Sequence, residues 1–252
     1  MKEIKMAYHH LNKHLPLKIL ALSWCILLFS FCSKAEIEKA DPNPVIPVDT
    51  IHPVSYLALG DSYTIGEDVA ESERYPSQLT EMFKASGVKV NKHKIIARTG
   101  WTTADLKNGI LQEEIDSNWQ LVSLLIGVNN QYRRQPISRF ETEFRELLEW
   151  SIVLAGGKPE RVFVISIPDY GVTPFGKNSG NGLQISAEID NYNTLKENIV
   201  KEYNVAFHHI TDISRLAEND PSLLAPDKLH PSGKMYKLWV DRFYQDVLKM
   251  VK

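Results

Sequence analysis

Five short runs of mostly apolar residues recur along the chain from residue 54 onward, over 54–59, 94–98, 121–126, 161–167 and 205–210. Each run ends next to a glycine, a proline or a threonine. Hydrophobicity that is continuous, and does not alternate with polar residues, is typical of strands covered on both faces, as in a parallel sheet. This pattern limits the folds open to the chain more than any other feature of the sequence.

Between these runs lie stretches whose apolar residues recur at helical spacing, over 79–83, 140–148, 189–199 and 236–250. Such stripes more often face a core than a ligand, so we assign them to helices that cover the sheet. The alternation of strand and helix predicts an α/β fold, a three-layer α/β/α sandwich with a mostly parallel sheet. Ligands of such folds bind beyond the carboxyl ends of the strands. The residues that follow each run are therefore the candidates for a functional site.

The N-terminal residues differ in character from the rest of the chain. Within residues 1–35, four lysines precede an apolar run over 19–31, as in the charged and hydrophobic parts of a secretory signal. The run is short for a bilayer span, and a membrane anchor or a buried helix is the alternative to a signal. We expect an exported protein that is periplasmic, secreted or held at the cell surface.

Two processing sites compete in this leader. The tripeptide Ser33-Lys34-Ala35 resembles the small-x-small pattern of a signal peptidase site. Cys32 is the alternative, as the lipid-carrying residue of a lipoprotein, although residues 29–31 depart from the usual aliphatic and small residues before such a cysteine. A lipid anchor at Cys32 is the one membrane contact that we expect.

Residues 36–53 contain four prolines and are interpreted as an extended spacer, which leaves 54–252 as one folded domain. The two cysteines of the chain, Cys25 and Cys32, both lie in the leader, so the domain has no disulfide and no cysteine nucleophile or metal ligand. Subtracting the five lysines and one glutamate of the leader from totals of 29 and 31 leaves 24 basic and 30 acidic residues, a net charge of −6. An acidic domain without a basic stripe argues against nucleic acid as a partner.

Residues suited to acyl-transfer chemistry follow three of the apolar runs. The first run ends in Gly60-Asp61-Ser62, where the glycine permits a sharp turn and the serine projects beyond the strand. Gly100 follows the second run and Asn129 the third, and both types of residue can donate a hydrogen bond to an oxyanion. Taken singly, these residues are more often a helix cap, a turn glycine and an Asx turn.

A fourth block, Asp227-Lys228-Leu229-His230, lies near the C-terminus. A histidine acts as a base through one ring nitrogen when an acceptor orients the other, and an aspartate three residues earlier can supply that acceptor. A lone block of this kind more often caps a helix. Together, however, the four blocks provide a nucleophile, oxyanion donors and an oriented base at successive strand ends.

The four blocks, in this order, resemble those of the SGNH or GDSL-like hydrolases, and the resemblance covers residues 54–250. The name-giving Gly-Asp-Ser-Leu block of the family departs here only in Tyr63, which stands in place of the leucine. The resemblance implies a flavodoxin-like α/β/α sandwich of about five parallel strands for the hydrolase domain over 54–252. It also implies a serine esterase that needs no metal and no organic cofactor.

The resemblance further assigns a role to each matching residue. Ser62 is the expected nucleophile, His230 the general base, and Asp227 the residue that orients the imidazole. The backbone N–H groups of Ser62 and Gly100 and the side chain of Asn129 form the expected oxyanion hole.

The substrate is less well defined by the sequence. We expect a small-molecule or glycan ester, with a short acyl or acetyl group that passes through an acyl-enzyme, and with Tyr63, Trp101 and Tyr132 at the mouth of the site. A lysophospholipase or thioesterase of the same fold is the alternative. A catalytically silent module that binds carbohydrate or lipid belongs to a different class and is the third hypothesis.

Overall fold

The computed structural model describes residues 53–252, so the leader over 1–35 and nearly all of the spacer over 36–53 lie outside the described residues. The described chain forms one sheet of five parallel strands in the order β2-β1-β3-β4-β5. The strands are β1 (Val54–Gly60), β2 (Val90–Ala97), β3 (Leu121–Leu125), β4 (Val162–Ile165) and β5 (Ala206–His208).

Five long and four short α-helices connect and follow these strands in the described part of the chain. They are α1 (Ser62–Ile65), α2 (Tyr75–Ala85), α3 (Thr103–Gln112), α4 (Val128–Tyr132), α5 (Ile137–Leu154), α6 (Pro174–Asn178), α7 (Gly182–Glu202), α8 (Thr211–Arg215) and α9 (Gly233–Met250). Single turns of 3₁₀ helix occur at Glu71–Glu73, Pro159–Arg161, Tyr170–Val172, Leu216–Glu218 and Pro221–Leu223.

The helices form two layers on the sheet. Helices α2 and α9 pack together on one side, while α3, α5 and α7 pack in a row on the other. The three-layer α/β/α sandwich and its parallel sheet, both predicted from the sequence, are therefore confirmed.

The aromatic stripes of the helices lie in the core, as predicted. In α9, Tyr236, Trp239 and Phe243 are fully buried. Their rings contact Tyr75 of α2, and Phe243 also contacts Phe163 of β4. Helix α9 therefore packs against both the sheet and α2. Each such side chain contributes roughly 1.5–3 kcal/mol through its removal from water.

The edges of the sheet differ from their predicted bounds. Strand β2 begins at Val90 and not at 94, and its first half is largely exposed. An edge strand pairs on one side only, and its other side is open to solvent. Polar residues can therefore belong to β2, which begins before the apolar run that predicted it. Strand β5, at the opposite edge, is shorter than the predicted 205–210.

Candidate active site

Ser62 stands at the carboxyl end of a central strand, where β1 passes into the short helix α1. Asp61 caps this helix by accepting a hydrogen bond from the backbone N–H of Tyr63, at 3.1 Å. Ser62 is the first residue of the helix and is 4% exposed. The turn therefore presents the serine at the edge of the sheet where strands β2 and β3 also end.

Gly60 is required in this turn for a reason other than the one expected. Its φ is not positive, so the turn does not depend on the conformational freedom of glycine. A Cβ at this position would instead collide with the Thr64 hydroxyl and the Leu125 carbonyl. The glycine lets α1 approach the end of β3, which fixes the position of the serine between them.

Asp227 and His230 form a compact unit in the loop before α9. One carboxylate oxygen of Asp227 accepts the backbone N–H groups of Leu229 and His230, both at 2.9 Å. The other oxygen bonds to His230 Nδ1 at 2.5 Å. This pairing assigns the Nδ1 hydrogen to the aspartate side, so that Nε2 is the nitrogen available to a reacting proton.

These contacts stabilise the ionised form of Asp227. Partial burial disfavours the ionised carboxylate, but hydrogen bonds from the His230 side chain and from two backbone N–H groups outweigh it and lower the pKa of Asp227. The loop is closed at its base, because Ala225 N–H donates to the His230 carbonyl and Ser232 N–H donates to that of Leu223, both at 2.8 Å. The pair is therefore preorganised before any ligand binds.

The other two expected oxyanion donors, Gly100 and Asn129, follow strands β2 and β3. Gly100 has a φ of +82°, which favours glycine, and its carbonyl accepts a bond of 2.6 Å from Arg133 Nη2. Asn129 lies in α4, and its Nδ2 donates to the Trp101 carbonyl at 3.0 Å. This bond uses one of the two amide hydrogens of Asn129 and orients the other.

One cleft of about 200 Å³ brings the serine, the histidine, the glycine and the asparagine together. Tyr63 and Tyr132, two of the three expected substrate-binding residues, also line it. Tyr63 is buried, with its ring edge-on to His230 at 5.5 Å, while Tyr132 is 57% exposed at the rim. The complete lining consists of Ser62, Tyr63, Thr99, Gly100, Val128, Asn129, Tyr132, Tyr170, Phe175, Leu229 and His230.

Trp101, the third expected substrate-binding residue, does not line this cleft in the described part of the chain. Its ring lies against Gly109 of α3, where a Cβ would collide with it. The absent side chain of Gly109 makes room for the indole, which therefore packs beneath the loop, and only the Trp101 carbonyl faces Asn129.

Two lining residues, Tyr170 and Phe175, follow β4 and were not among the expected site residues. The fourth apolar run carries no recognisable motif at its end, so only the strand-end rule could have pointed to them. Their rings lie 6.3 Å apart and each also lies close to Tyr132.

A buried lysine whose charge acts on Asp61 was also missed. Lys196 of α7 is fully buried, and its Nζ donates to the carbonyls of Ile165 at 2.9 Å and Ile126 at 3.2 Å. Burial raises the pKa of Asp61 to about 7, against hydrogen bonds from Tyr63 and Gly127 and the charge of Lys196. Burial likewise lowers the pKa of Lys196 to about 7, against the charge of Asp61.

Other kinds of site are not evident in the described region. Among residues 53–252, no cluster of three or more histidine, cysteine, aspartate or glutamate side chains is arranged to hold a metal ion. No helix in the same region is long and apolar enough to cross a membrane.

A five-stranded parallel sandwich with a serine, an aspartate–histidine pair, a glycine and an asparagine at its carboxyl edge defines a class of ester hydrolases. The chain matches the GDSL-like Lipase/Acylhydrolase family over residues 58–238 and belongs to it. The protein is therefore an ester-hydrolysing enzyme of that family. A comparison with curated protein sequences finds no match.

Solved structures with the same fold include several esterases. The lipase/acylhydrolase from Enterococcus faecalis has 20% identity and a TM-score of 0.62, with 79% of this chain and 97% of that chain covered. The psychrotrophic esterase EstA from Pseudoalteromonas sp. has 18% identity and a TM-score of 0.55, with 77% and 97% covered. Axe2, an acetylxylan esterase from Geobacillus stearothermophilus, has 20% identity and a TM-score of 0.56, with 77% and 94% covered. At these identities the likeness shows the fold.

Proposed function

We propose that the protein is a serine esterase that removes short acyl groups, acetyl above all, from carbohydrate esters through an acyl-enzyme. The observation that carries the proposal is the single cleft shared by Ser62, His230, Gly100 and Asn129, with Asp227 bound to the far side of the imidazole. A nucleophile, an oriented base and oxyanion donors around one space are the components that acyl transfer requires.

The chemistry follows from this arrangement. Ser62 Oγ attacks the ester carbonyl carbon as His230 Nε2 takes the hydroxyl proton, and Asp227 stabilises the imidazolium. The carbonyl oxygen becomes an oxyanion that accepts bonds from the backbone N–H groups of Ser62 and Gly100 and from the Asn129 amide. The imidazolium then protonates the departing alcohol, and a water molecule, activated in the same way, releases the acid from the serine.

The size of the cleft supports a short acyl group. Its volume of about 200 Å³ is small beside the roughly 300–1,000 Å³ of clefts that bury drug-sized ligands. Val128 and Leu229 supply an apolar wall, which suits a methyl or another short alkyl group. The acetylxylan esterase among the structural neighbours supports a carbohydrate as the alcohol.

The test is a series of p-nitrophenyl esters from two to twelve acyl carbons, followed by acetylated oligosaccharides. We expect kcat/KM to be highest for the acetate and to fall steeply beyond about four carbons. Ser62→Ala should abolish turnover and also prevent covalent labelling by a fluorophosphonate, whereas Ser138→Ala, a change at an exposed serine of α5, should do neither. A maximum at long chains would indicate a lysophospholipase or thioesterase, and an absence of both turnover and labelling in the native protein would indicate a silent binding module.

We also propose that the protein is exported, on the basis of the charged and apolar leader over 1–35. The mass of the mature chain made in a bacterial host should place its first residue at Cys32 or directly after Ala35. A diacylated Cys32 would identify a lipoprotein, and an uncleaved chain in the cytosolic fraction would refute export.

A further inference from the structure

A polar groove adjoins the reaction cleft on the side of α6 and α7. Its first part, a cavity of about 350 Å³, shares Tyr132, Tyr170 and Phe175 with the cleft. Its second part, of about 470 Å³, shares Gln184 and Glu188 with the first. The three spaces follow one another along the surface, so a molecule longer than one small ester can extend from Ser62 into the groove.

The junction between cleft and groove is aromatic. Tyr132 and Phe175 are 57% and 43% exposed, and their rings lie 6.2 Å apart with an interplanar angle of 43°. Tyr170, buried behind them, contacts both rings and supports their positions. Exposed rings of this kind offer an apolar face beside polar edges, which matches the alternating C–H faces and hydroxyl edges of a sugar ring.

Beyond the rings the groove is lined by a hydrogen-bonded set of amides around one carboxylate. Gln131 and Gln184 each donate an amide hydrogen to Glu188, at 2.6 and 2.8 Å, and the Tyr170 hydroxyl donates to Gln131 Oε1 at 2.8 Å. Asn181 lines both parts of the groove. Amide and carboxylate groups supply the donors and acceptors that neighbouring sugar hydroxyls need, and the network holds them in place.

The same lining disfavours the alternative substrates, lysophospholipids and thioesters. A fatty acyl chain would need continuous apolar walls, but the amides and Glu188 interrupt them beyond Phe175. A phosphate-bearing alcohol, such as a lysophospholipid or a coenzyme thioester, would need several cations, and Arg134 is the one cation that lines the groove in the described region.

We infer that this groove binds the glycan part of the substrate as a neutral oligosaccharide, with the acylated sugar on Tyr132 and Phe175 and the next sugars on Gln184, Glu188 and Asn181. The inference rests on the proposed function, because it takes the alcohol side of the ester to lie on the groove. It adds that the enzyme recognises several linked sugars and not a single acetylated one.

The activity test compares p-nitrophenyl acetate with acetylated xylo-oligosaccharides of one to six sugars. For the native enzyme, kcat/KM should increase by at least about tenfold from one sugar to four. Glu188→Ala should remove most of this increase, and Gln184→Ala should reduce it by roughly three- to tenfold, as expected for one hydrogen bond. Gln112→Ala, at the end of α3 and outside the groove, is the matched control and should leave the increase unchanged.

A binding test keeps the inference separate from the proposed function. Ser62→Ala protein is titrated calorimetrically with unmodified xylo-, manno- and chito-tetraoses, which need no catalysis to bind. At least one should bind more tightly than its monosaccharide, and Glu188→Ala in the same background should weaken it by tenfold or more. Normal hydrolysis of p-nitrophenyl acetate with no dependence on sugar number, and no binding of any tetraose, would overturn the inference while the esterase proposal stands. Binding without any hydrolysis would overturn the esterase proposal alone.

Discussion

Replacing Lys196 by methionine should destabilise the protein strongly and in a pH-dependent way. The methionine has a similar length but leaves the carbonyls of Ile126 and Ile165 without their donor and Asp61 without its neighbouring cation. Leaving a buried polar group without its hydrogen-bond partner costs about 1–3 kcal/mol. Because burial already raises the pKa of Asp61 to about 7, the carboxyl can take up a proton and avoid part of the cost of losing the cation. We therefore expect a loss of about 3 kcal/mol near neutral pH, most of it from the two carbonyls.

The sign of the pH dependence follows from the two opposite pKa shifts. Folded Asp61 retains a proton that the unfolded chain releases above about pH 4, so its contribution to stability falls between about pH 4 and pH 7 and is constant above that range. Folded Lys196, with its pKa lowered to about 7, has lost a proton that the unfolded chain retains, so its contribution rises above that pH. In the native protein the falling trend below about pH 7 is followed by a rising trend above it. Lys196→Met lacks the rising trend, so its deficit should be larger at pH 8 than at pH 5.

The assay is urea denaturation followed by tryptophan fluorescence at both pH values. Lys201→Met, on the same helix but exposed and paired with Glu197, is the control and should cost under about 0.5 kcal/mol. In the double variant Asp61→Asn/Lys196→Met, about 2 kcal/mol should be recovered relative to the sum of the single changes, since no buried charge is left unpaired. Effects of the single changes that add to within about 0.5 kcal/mol would show that the two groups do not interact and would refute the reasoning.

Further predictions concern the reaction itself. Ser62→Ala and His230→Ala should each abolish most activity, and the double variant should be little worse than either, because the members of a triad act as a unit; losses that multiply would contradict the assignment. Asn129→Ala should lower kcat on the order of 10²–10³-fold with little change in KM, and a pure KM effect would point to substrate binding. Gly60→Ala should lower stability and activity together, as measured by thermal unfolding and turnover, whereas normal values for both would show that α1 can move away from β3.

Much of the architecture was predictable because it depends on local pattern. Continuous apolar runs mark buried parallel strands wherever they occur, and the aromatic stripe of α9 faces the core in any packing that buries it. The parts predicted less well are the two edge strands, β2 and β5. The burial of a residue in an edge strand depends on whether another strand lies beside it. A short stretch of sequence carries no information about that neighbour.

The sequence by itself determined the family, the sheet and the set of motif residues at its carboxyl edge, because three of the four motifs follow strands whose ends are visible in the pattern and the fourth precedes the last helix. Only the tertiary structure decided which side chains around them face the cleft. Trp101 and Tyr132 looked alike in sequence, yet one packs against Gly109 and the other stands at the rim. Lys196 shows no motif at all, and it lies near Asp61 because α7 crosses the sheet at that point. Contacts between residues far apart along the chain form only when the layers pack together. The cavities and the pKa shifts that depend on those contacts therefore arise only in the folded protein.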